Sequence, residues 1–492
     1  MPSSLLTLRD AGVAAVAAIA LALAFPKIGA AWIVPFGTAA LFWTWQRSSW
    51  KRAALLGALS GLIFIAIDYS WVGYTVGSFI GPYGPFLMFG PAIFEAPYFA
   101  LAGALCAIAY QRVRPDLAPL AAAAAFTVCE WLRSIGLLAA PFDQLGYTQA
   151  DSPLRAIAAY LGTYGITFIL CVLGAYLADA LHRKTYRPML VAVASSFALA
   201  IIAWIAWPAR SAPPPAIPVA AIQGNIAQSL KWNSLSLAVD RYSMLTRVAG
   251  ARHPKLIVWP ETVIPIALTY DRPLLDDFLA LSREVNATIV AGAVDEPSRT
   301  QSYNALFILQ PSGAYQVYRK RQLVPFAESF PGQKFLGWLP YVGQLSGRFD
   351  TGTVDGVYRT TAALSIAPLI CWESAFADLT HAQIRNGAQV LVVGTDDAWF
   401  GTTSGPYMHA QISQLRAIET GAYVVRAAAT GISGVIAPDG TWQQRSQMEQ
   451  LTTVYGKVGP RVPTLFSLIG PTPVMIGFVL LYAGLLFVRR SA

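Results

Sequence analysis

Charge is scarce in this 492-residue chain. Asp, Glu, Lys and Arg make up 12% of it, against 55% hydrophobic residues and a mean hydropathy of +0.49. No ordinary soluble protein of this length is so apolar. Cysteine is scarcer still: of four, Cys106, Cys129 and Cys171 lie in long apolar runs, so Cys371, in polar sequence, has no disulfide partner. Only four histidines occur, and no two sit in a metal-ligand arrangement with a cysteine or carboxylate nearby. Neither a metal nor a cofactor is expected. Repeats and low-complexity tracts are missing. The net charge of +9 comes from basic residues in short loops rather than from a nucleic-acid patch.

What is abundant is apolar length. A spanning helix needs about 20 largely apolar residues. Seven candidates precede residue 210, at 10–26, 30–46, 53–72, 86–110, 117–133, 155–181 and 188–207, and an eighth spans 472–488. The first follows Arg9 and looks like a signal peptide with a weak cleavage site, "GAA" at 29–31. An uncleaved anchor is expected, because another spanning segment follows at once.

Basic residues in short loops set the orientation. Arg47, Lys51 and Arg52 follow the second span, Arg112 and Arg114 the fourth, and Arg183, Lys184 and Arg187 the sixth; Arg489 and Arg490 end the chain. The third loop, "YSWVGYTVGSFIGPYGP", has none, while Arg133 and Arg155 mildly break the pattern in the fifth. Both termini are therefore expected in the cytoplasm, and the stretch between the seventh and eighth spans outside it. The expected organisation is a seven-helix membrane domain (1–209), a proline-rich linker "RSAPPPAIP" (210–218), an exported globular domain (219–468) and a C-terminal membrane helix (469–492).

Within 219–468, strand-like and helix-like runs alternate, which predicts an α/β layered domain. "NALFILQP" and "AYQVYRKRQLV" read as paired strands around "PSG". Chemistry-bearing residues gather at strand ends: Glu261 after "LIVWP", Lys320 in "VYRKRQLVPFAE", Cys371 after "SIAPLI", Asp396 and Asp397 after "VLVVGT". Ligand sites of α/β sheets collect at such ends. A lone thiol in an exported domain is a liability unless it is a nucleophile or a buried small hydrophobe. A nucleophile needs a base, for which His253, His381, His409, Glu261, Glu328 and Glu373 are candidates. A lysine would stabilise thiolate and oxyanion alike.

"VWPETVIP", "YRKRQLVPFAESFP" and "ICWESAF" occur in the Glu–Lys–Cys order of the nitrilase (carbon–nitrogen hydrolase) superfamily. With "IQGNIAQSLKW", "DDAWFG", "TGISGVIAPDG" and, in the membrane part, "PFDQLGYTQADSPL", nearly the whole chain resembles the apolipoprotein N-acyltransferase family. The resemblance implies an αββα sandwich for the globular domain. It implies Glu261 as general base, Lys320 as oxyanion stabiliser and Cys371 as nucleophile. Glu328 and Glu373 would orient Lys320, and Trp232 would line the lipid path. Two positions depart from the family pattern. Trp372 replaces a tyrosine but can still offer a backbone N–H to an oxyanion, and Ala327 replaces a glycine, needing only a tolerable backbone angle.

The implied reaction is ping-pong acyl transfer in a bacterial inner membrane, by a monomer. Cys371 would take an acyl chain from phospholipid as a thioester and pass it to the α-amine of a diacylglyceryl-cysteine apolipoprotein. Two aromatic stretches suit a lipid-facing lid: 332–349, with Trp338, and 398–408, with Trp399; His409 follows. A membrane-anchored exported amidase or nitrilase would release free acid or ammonia instead. A ligand-binding transporter or receptor would show internal membrane repeats, which the sequence lacks. The apolar runs also contain Asp68, Glu95, Glu130 and Asp143. Such carboxylates face cavities or pair internally, and Glu130 with Arg133 is the pair expected from spacing.

Overall fold

The computed structural model describes residues 7–80, 86, 88–211, 213–231, 234–330 and 349–488. Trp232 and Trp338, with nearly all of the 332–349 stretch, lie outside the described residues. The chain forms two compact units, Met1–Trp207 with Phe400–Gln411 and Ile469–Ala492, and Pro208–Trp399 with Ile412–Leu468.

The first unit is helical: α1 (Leu8–Ala22), α2 (Val34–Trp45), α3 (Trp50–Asp68), α4 (Ser70–Ile80), α5 (Phe89–Arg112), α6 (Ala118–Leu132), α7 (Ala158–Arg183) and α8 (Arg187–Ile205), with Pro471–Phe487 at the C-terminal end. Among the described residues, four helices are long and apolar enough to cross a membrane: α3, α5, α7 with its preceding turn, and α8. α6 and Pro471–Phe487 are apolar but shorter. At 15 and 12 residues, α1 and α2 would rise only about 23 and 18 Å at 1.5 Å per residue. α4 was not expected. It lies in the loop after the third span, one residue beyond α3.

Small residues let these helices meet closely. A Cβ on Gly103 of α5 would lie 2.3 Å from the Ala53 carbonyl oxygen of α3. Part of the buried charge is paired inside the unit, but not as spacing suggested. Arg133 pairs with Glu95 at 2.5 Å and with Asp143 rather than with Glu130. Glu130 instead accepts from the backbone N–H of Leu145 and the hydroxyl of Thr167, both at 2.7 Å. The i,i+3 neighbour lost to a loop carboxylate brought in by the chain's return at residue 143.

The second unit is a four-layer sandwich. One sheet contains β1 (Ile217–Gln223), β2 (Leu256–Val258), β3 (Ile264–Ala267), β4 (Thr288–Ser298), β5 (Gln301–Leu309), β6 (Tyr315–Arg319) and β13 (Thr452–Val458), in the order β13-β1-β2-β4-β5-β6 with β3 beside β4. The other contains β7 (Tyr358–Arg359), β8 (Ser365–Ile370), β9 (Val390–Thr395), β10 (Tyr423–Ala428), β11 (Gly434–Ile436) and β12 (Trp442–Arg445), ordered β12-β11-β10-β9-β8-β7. Alternation along each strand assigns its two faces. Val219, Ala221, Val390 and Val392 join the core between the sheets. Ala220 and Ile222 turn outward onto α10 (Leu235–Gly250) and α11 (Arg272–Val285). Leu391 and Val393 turn outward in the second sheet, in a cluster with Ile384 of α12 (Ala377–Arg385) and Ala417 of α13 (Gly405–Thr420). Strands buried on both faces are continuous apolar runs, which is why "VLVV" is legible as a strand.

Candidate active site

Three strand ends supply the chemistry. β2 stops at Val258, and the chain turns through Trp259 and Pro260 to Glu261. Trp259 anchors that turn: its indole N–H donates to Thr246 at 3.0 Å, and its backbone N–H donates to the Val290 carbonyl at 2.8 Å. The turn lies directly on β4. A Cβ on Gly292 would stand 2.1 Å from the Pro260 carbonyl oxygen and 2.4 Å from the Thr262 nitrogen. β6 stops at Arg319, and Lys320 follows, its backbone N–H still donating to Asn304 of β5 at 2.8 Å. β8 stops at Ile370, and Cys371 opens a short 3-10 turn with a left-handed φ of 49°. A non-glycine residue held there costs about 1–3 kcal/mol. The turn must be pinned from outside.

Glu373 does the pinning. Fully buried, it accepts from the backbone N–H groups of Arg321 at 2.6 Å, Gln322 at 3.2 Å and Ile370 at 2.7 Å. The Tyr318 hydroxyl lies 3.0 Å from both carboxylate oxygens. Burial raises the pKa of Glu373 against those N–H groups and the Lys320 charge. Glu373 was expected to orient Lys320; it holds the backbone just after Lys320 and just before Cys371, and among the described residues no ion pair joins it to the ammonium.

Glu261, Lys320 and Glu328 come together directly. The Lys320 ammonium, 1% exposed, lies 3.0 Å from Glu261 and 2.9 Å from Glu328. Asn304 donates to the same two carboxylates at 2.7 and 2.8 Å, and accepts from the Thr262 hydroxyl at 3.1 Å. Glu328 closes its own loop by accepting from the Val324 N–H at 2.9 Å. In that loop the left-handed residue is Phe326, so Ala327 needs no special backbone angle. The second oxygen of Glu261 accepts from the Asp396 N–H at 3.0 Å.

Electrostatics divide the group into an ionised pair and a neutral thiol. Burial pushes Glu261 up, but Lys320, Lys231 and the hydrogen bonds from Lys320 and Asn304 outweigh it and hold its carboxyl below the usual range. Burial also works against the Lys320 charge, yet Glu261, Glu328 and the Cys371 sulfur raise its pKa, so it stays an ammonium. Cys371 moves the other way. Burial and the Glu261 charge push its thiol well up, against Lys320 and a hydrogen bond with Thr395. The thiol thus lies within electrostatic reach of one carboxylate and one cation.

The remaining expected residues are scattered. Trp372 is buried, its ring 6.2 Å from that of Phe376. Trp399 is half-buried at the end of its segment of the second unit. His409 belongs to the helical unit, fully buried with ring centroids 5.4 Å from Phe142 and 6.2 Å from Phe400. Sequence reasoning missed Asn304, Tyr318 and Lys231. Lys231 adjoins the motif tryptophan, and that adjacency was its one signal. Among the described residues no group of three or more histidine, cysteine or acidic side chains could hold a metal ion.

The chain matches two family models, the apolipoprotein N-acyltransferase N-terminal domain over residues 17–176 and carbon-nitrogen hydrolase over residues 218–461. An apolipoprotein N-acyltransferase of Photobacterium profundum is 31% identical over 440 residues, covering 86% of this chain and 83% of the relative. Another, from Methylococcus capsulatus, is 31% identical over 492 residues, covering 96% and 94%. Among solved structures, the nitrilase-superfamily protein Nit3 of Saccharomyces cerevisiae aligns with a TM-score of 0.41 at 18% identity, over 52% of this chain and 94% of that one.

Proposed function

The chain belongs to the apolipoprotein N-acyltransferase family, and from that premise we propose how its residues transfer an acyl chain from membrane phospholipid to the N-terminal amine of lipoproteins. Cys371 attacks the phospholipid ester while Glu261 takes the thiol proton. The tetrahedral oxyanion is met by Lys320 and by the backbone N–H of Trp372. Collapse expels the lysophospholipid alkoxide, which Glu261 reprotonates, and leaves a thioester on Cys371. The α-amine of the diacylglyceryl-cysteine then attacks the thioester. Glu261 takes a proton from the amine and returns it to the departing sulfur.

The observation that carries this reading is the doubly paired Lys320. An ammonium has three donors. Two are committed to Glu261 and Glu328, which fixes the direction of the third. A cation so held reorganises little as charge develops, the condition for strong oxyanion stabilisation. The direct test is to incubate the protein with labelled phospholipid and no amine acceptor. Label should become covalent on Cys371, be released by neutral hydroxylamine, and move to a lipidated peptide when one is added. Label that persists in Cys371→Ala refutes the thioester.

The membrane arrangement belongs to the same proposal. Helices lie at each of the eight apolar stretches, and the basic loops support cytoplasmic termini with residues 219–468 periplasmic. The protein would act as an inner-membrane monomer, both substrates entering sideways from the bilayer.

A further inference from the structure

Lys231 closes α9 (Gln228–Lys231), far in sequence from the other site residues and outside the mechanism above. Its ammonium, 10% exposed, lies 2.5 Å from the carboxylate of Asp396, which is 1% exposed. Asp396 follows β9, and its backbone N–H is the donor to the second oxygen of Glu261. The first oxygen is held by Lys320 and Asn304. Glu261 is thus gripped from two sides, and one side depends on where Asp396 stands.

Resting on the role given to Glu261, we propose that Lys231 and Asp396 form a positioning pair: Asp396 places its backbone donor on the general base, and Lys231 cancels the effect of the Asp396 charge on the proton affinity of that base. The charged and titratable groups facing Glu261 are Lys320 after β6, Lys231 on α9, Asp396 after β9, Cys371 after β8 and, across Lys320 and Asn304, Glu328. Two of them are cations, and Lys231 is the one with no place in the chemistry. Its charge is the second of the two that hold the Glu261 carboxyl low. Burial pushes Asp396 itself up, and Lys231 opposes this. Without Lys231, Asp396 becomes a buried anion beside a second buried anion. An opposite charge at this range typically moves a carboxyl by about 1–3 pH units. Lys231 therefore offsets the Asp396 charge, so that Glu261 and Asp396 can both stay ionised.

The test is the pH profile of thioester formation on the full-length protein in detergent, using labelled phospholipid without acceptor. Lys231→Met should raise the acidic limb by about one pH unit or more. Asp396→Asn, which keeps the backbone donor and removes the anion, should lower it. The double variant, with both charges gone, should return the limb to within about half a unit of wild type and recover most of the rate lost in Lys231→Met. An unmoved limb with a uniformly reduced rate would mean that Lys231 only packs, and would overturn the proposal. So would a double variant no better than Lys231→Met. If Lys231→Met does not fold, Asp396→Asn alone decides by the sign of its shift. Glu261→Gln separates the two readings. If it still forms thioester, the role of Glu261 fails; if it is inactive while the Lys231 and Asp396 variants leave the limb in place, only the present inference fails.

Discussion

Glu373→Gln offers the sharpest test of how the site is built. The amide keeps the carboxylate's shape but turns one oxygen into a donor. In one orientation the new NH2 faces the Ile370 N–H; in the other it faces those of Arg321 and Gln322. Either way at least one buried backbone donor meets another donor, at a cost of about 1–3 kcal/mol. The surviving bonds also lose their ionised acceptor, falling from about 1.5–3 kcal/mol each toward about 1. Allowing for relaxation, the substitution should destabilise the globular unit by about 2–4 kcal/mol. In a domain of this size that lowers the unfolding midpoint by roughly 4–16 °C. Thermal unfolding in detergent, followed by intrinsic fluorescence, measures this. Turnover should fall too, because the amide no longer holds Arg321 and Ile370 together and Lys320 and Cys371 flank those residues. A midpoint within about 2 °C of wild type, with normal turnover, would show that Glu373 does not pin the site.

Lys320→Ala removes the proposed oxyanion donor and leaves two carboxylates around Asn304. Thioester formation should fall by about 10²–10³-fold, equivalent to roughly 3–4 kcal/mol. Gly292→Ala drives a methyl into the Pro260 carbonyl. It should displace the Glu261 turn, costing about 1–3 kcal/mol and most of the activity, while wild-type stability and rate would refute that packing. The pKa of Glu261 is lower in the folded state than in the unfolded chain, so its contribution to stability is complete above the unfolded value of about 4.3 and disappears as pH falls through the folded one. The acidic limb of thioester formation should accordingly lie below about 4.3; a limb nearer neutrality contradicts an ionised resting base. A reporter active only outside the cytoplasm should work when fused near residue 300 and fail after residue 490, and the reverse pattern would invert the orientation.

The legible parts of the fold are those where a local pattern has no competitor. "VLVVGT" and "SIAPLI" are apolar on both faces, and a run of that length between turn residues has little choice but a buried strand. β12, "WQQR", and β13, "TTVYGKV", escaped because they are edge strands, partly exposed and rich in polar residues. Pairing with neighbours rather than an alternating pattern makes them strands. The positions of Glu261, Lys320 and Cys371 just past strand ends could be read because ordered motifs surround them. Asn304 sits mid-strand on β5, where nothing in its neighbours distinguishes it from a turn-facing amide. Its role exists only because β5 lies between β4 and β6. The partners of Arg133 illustrate the same limit in the helical unit: helical spacing offers Glu130, but the fold delivers Glu95 and Asp143.

Cys371 arrives on one sheet, whereas Glu261 and Lys320 arrive on the other. No contiguous stretch of chain carries a working site, and none exists until the two sheets have closed on each other. Before closure the thiol is an ordinary solvated one, a few per cent of it anionic near neutral pH. Afterwards burial keeps it protonated at rest. The sulfur is therefore most open to oxidation during its own biogenesis rather than during its working life. Any oxidative damage to this enzyme should concentrate in newly made chains, and the speed with which the sandwich closes sets how many escape it.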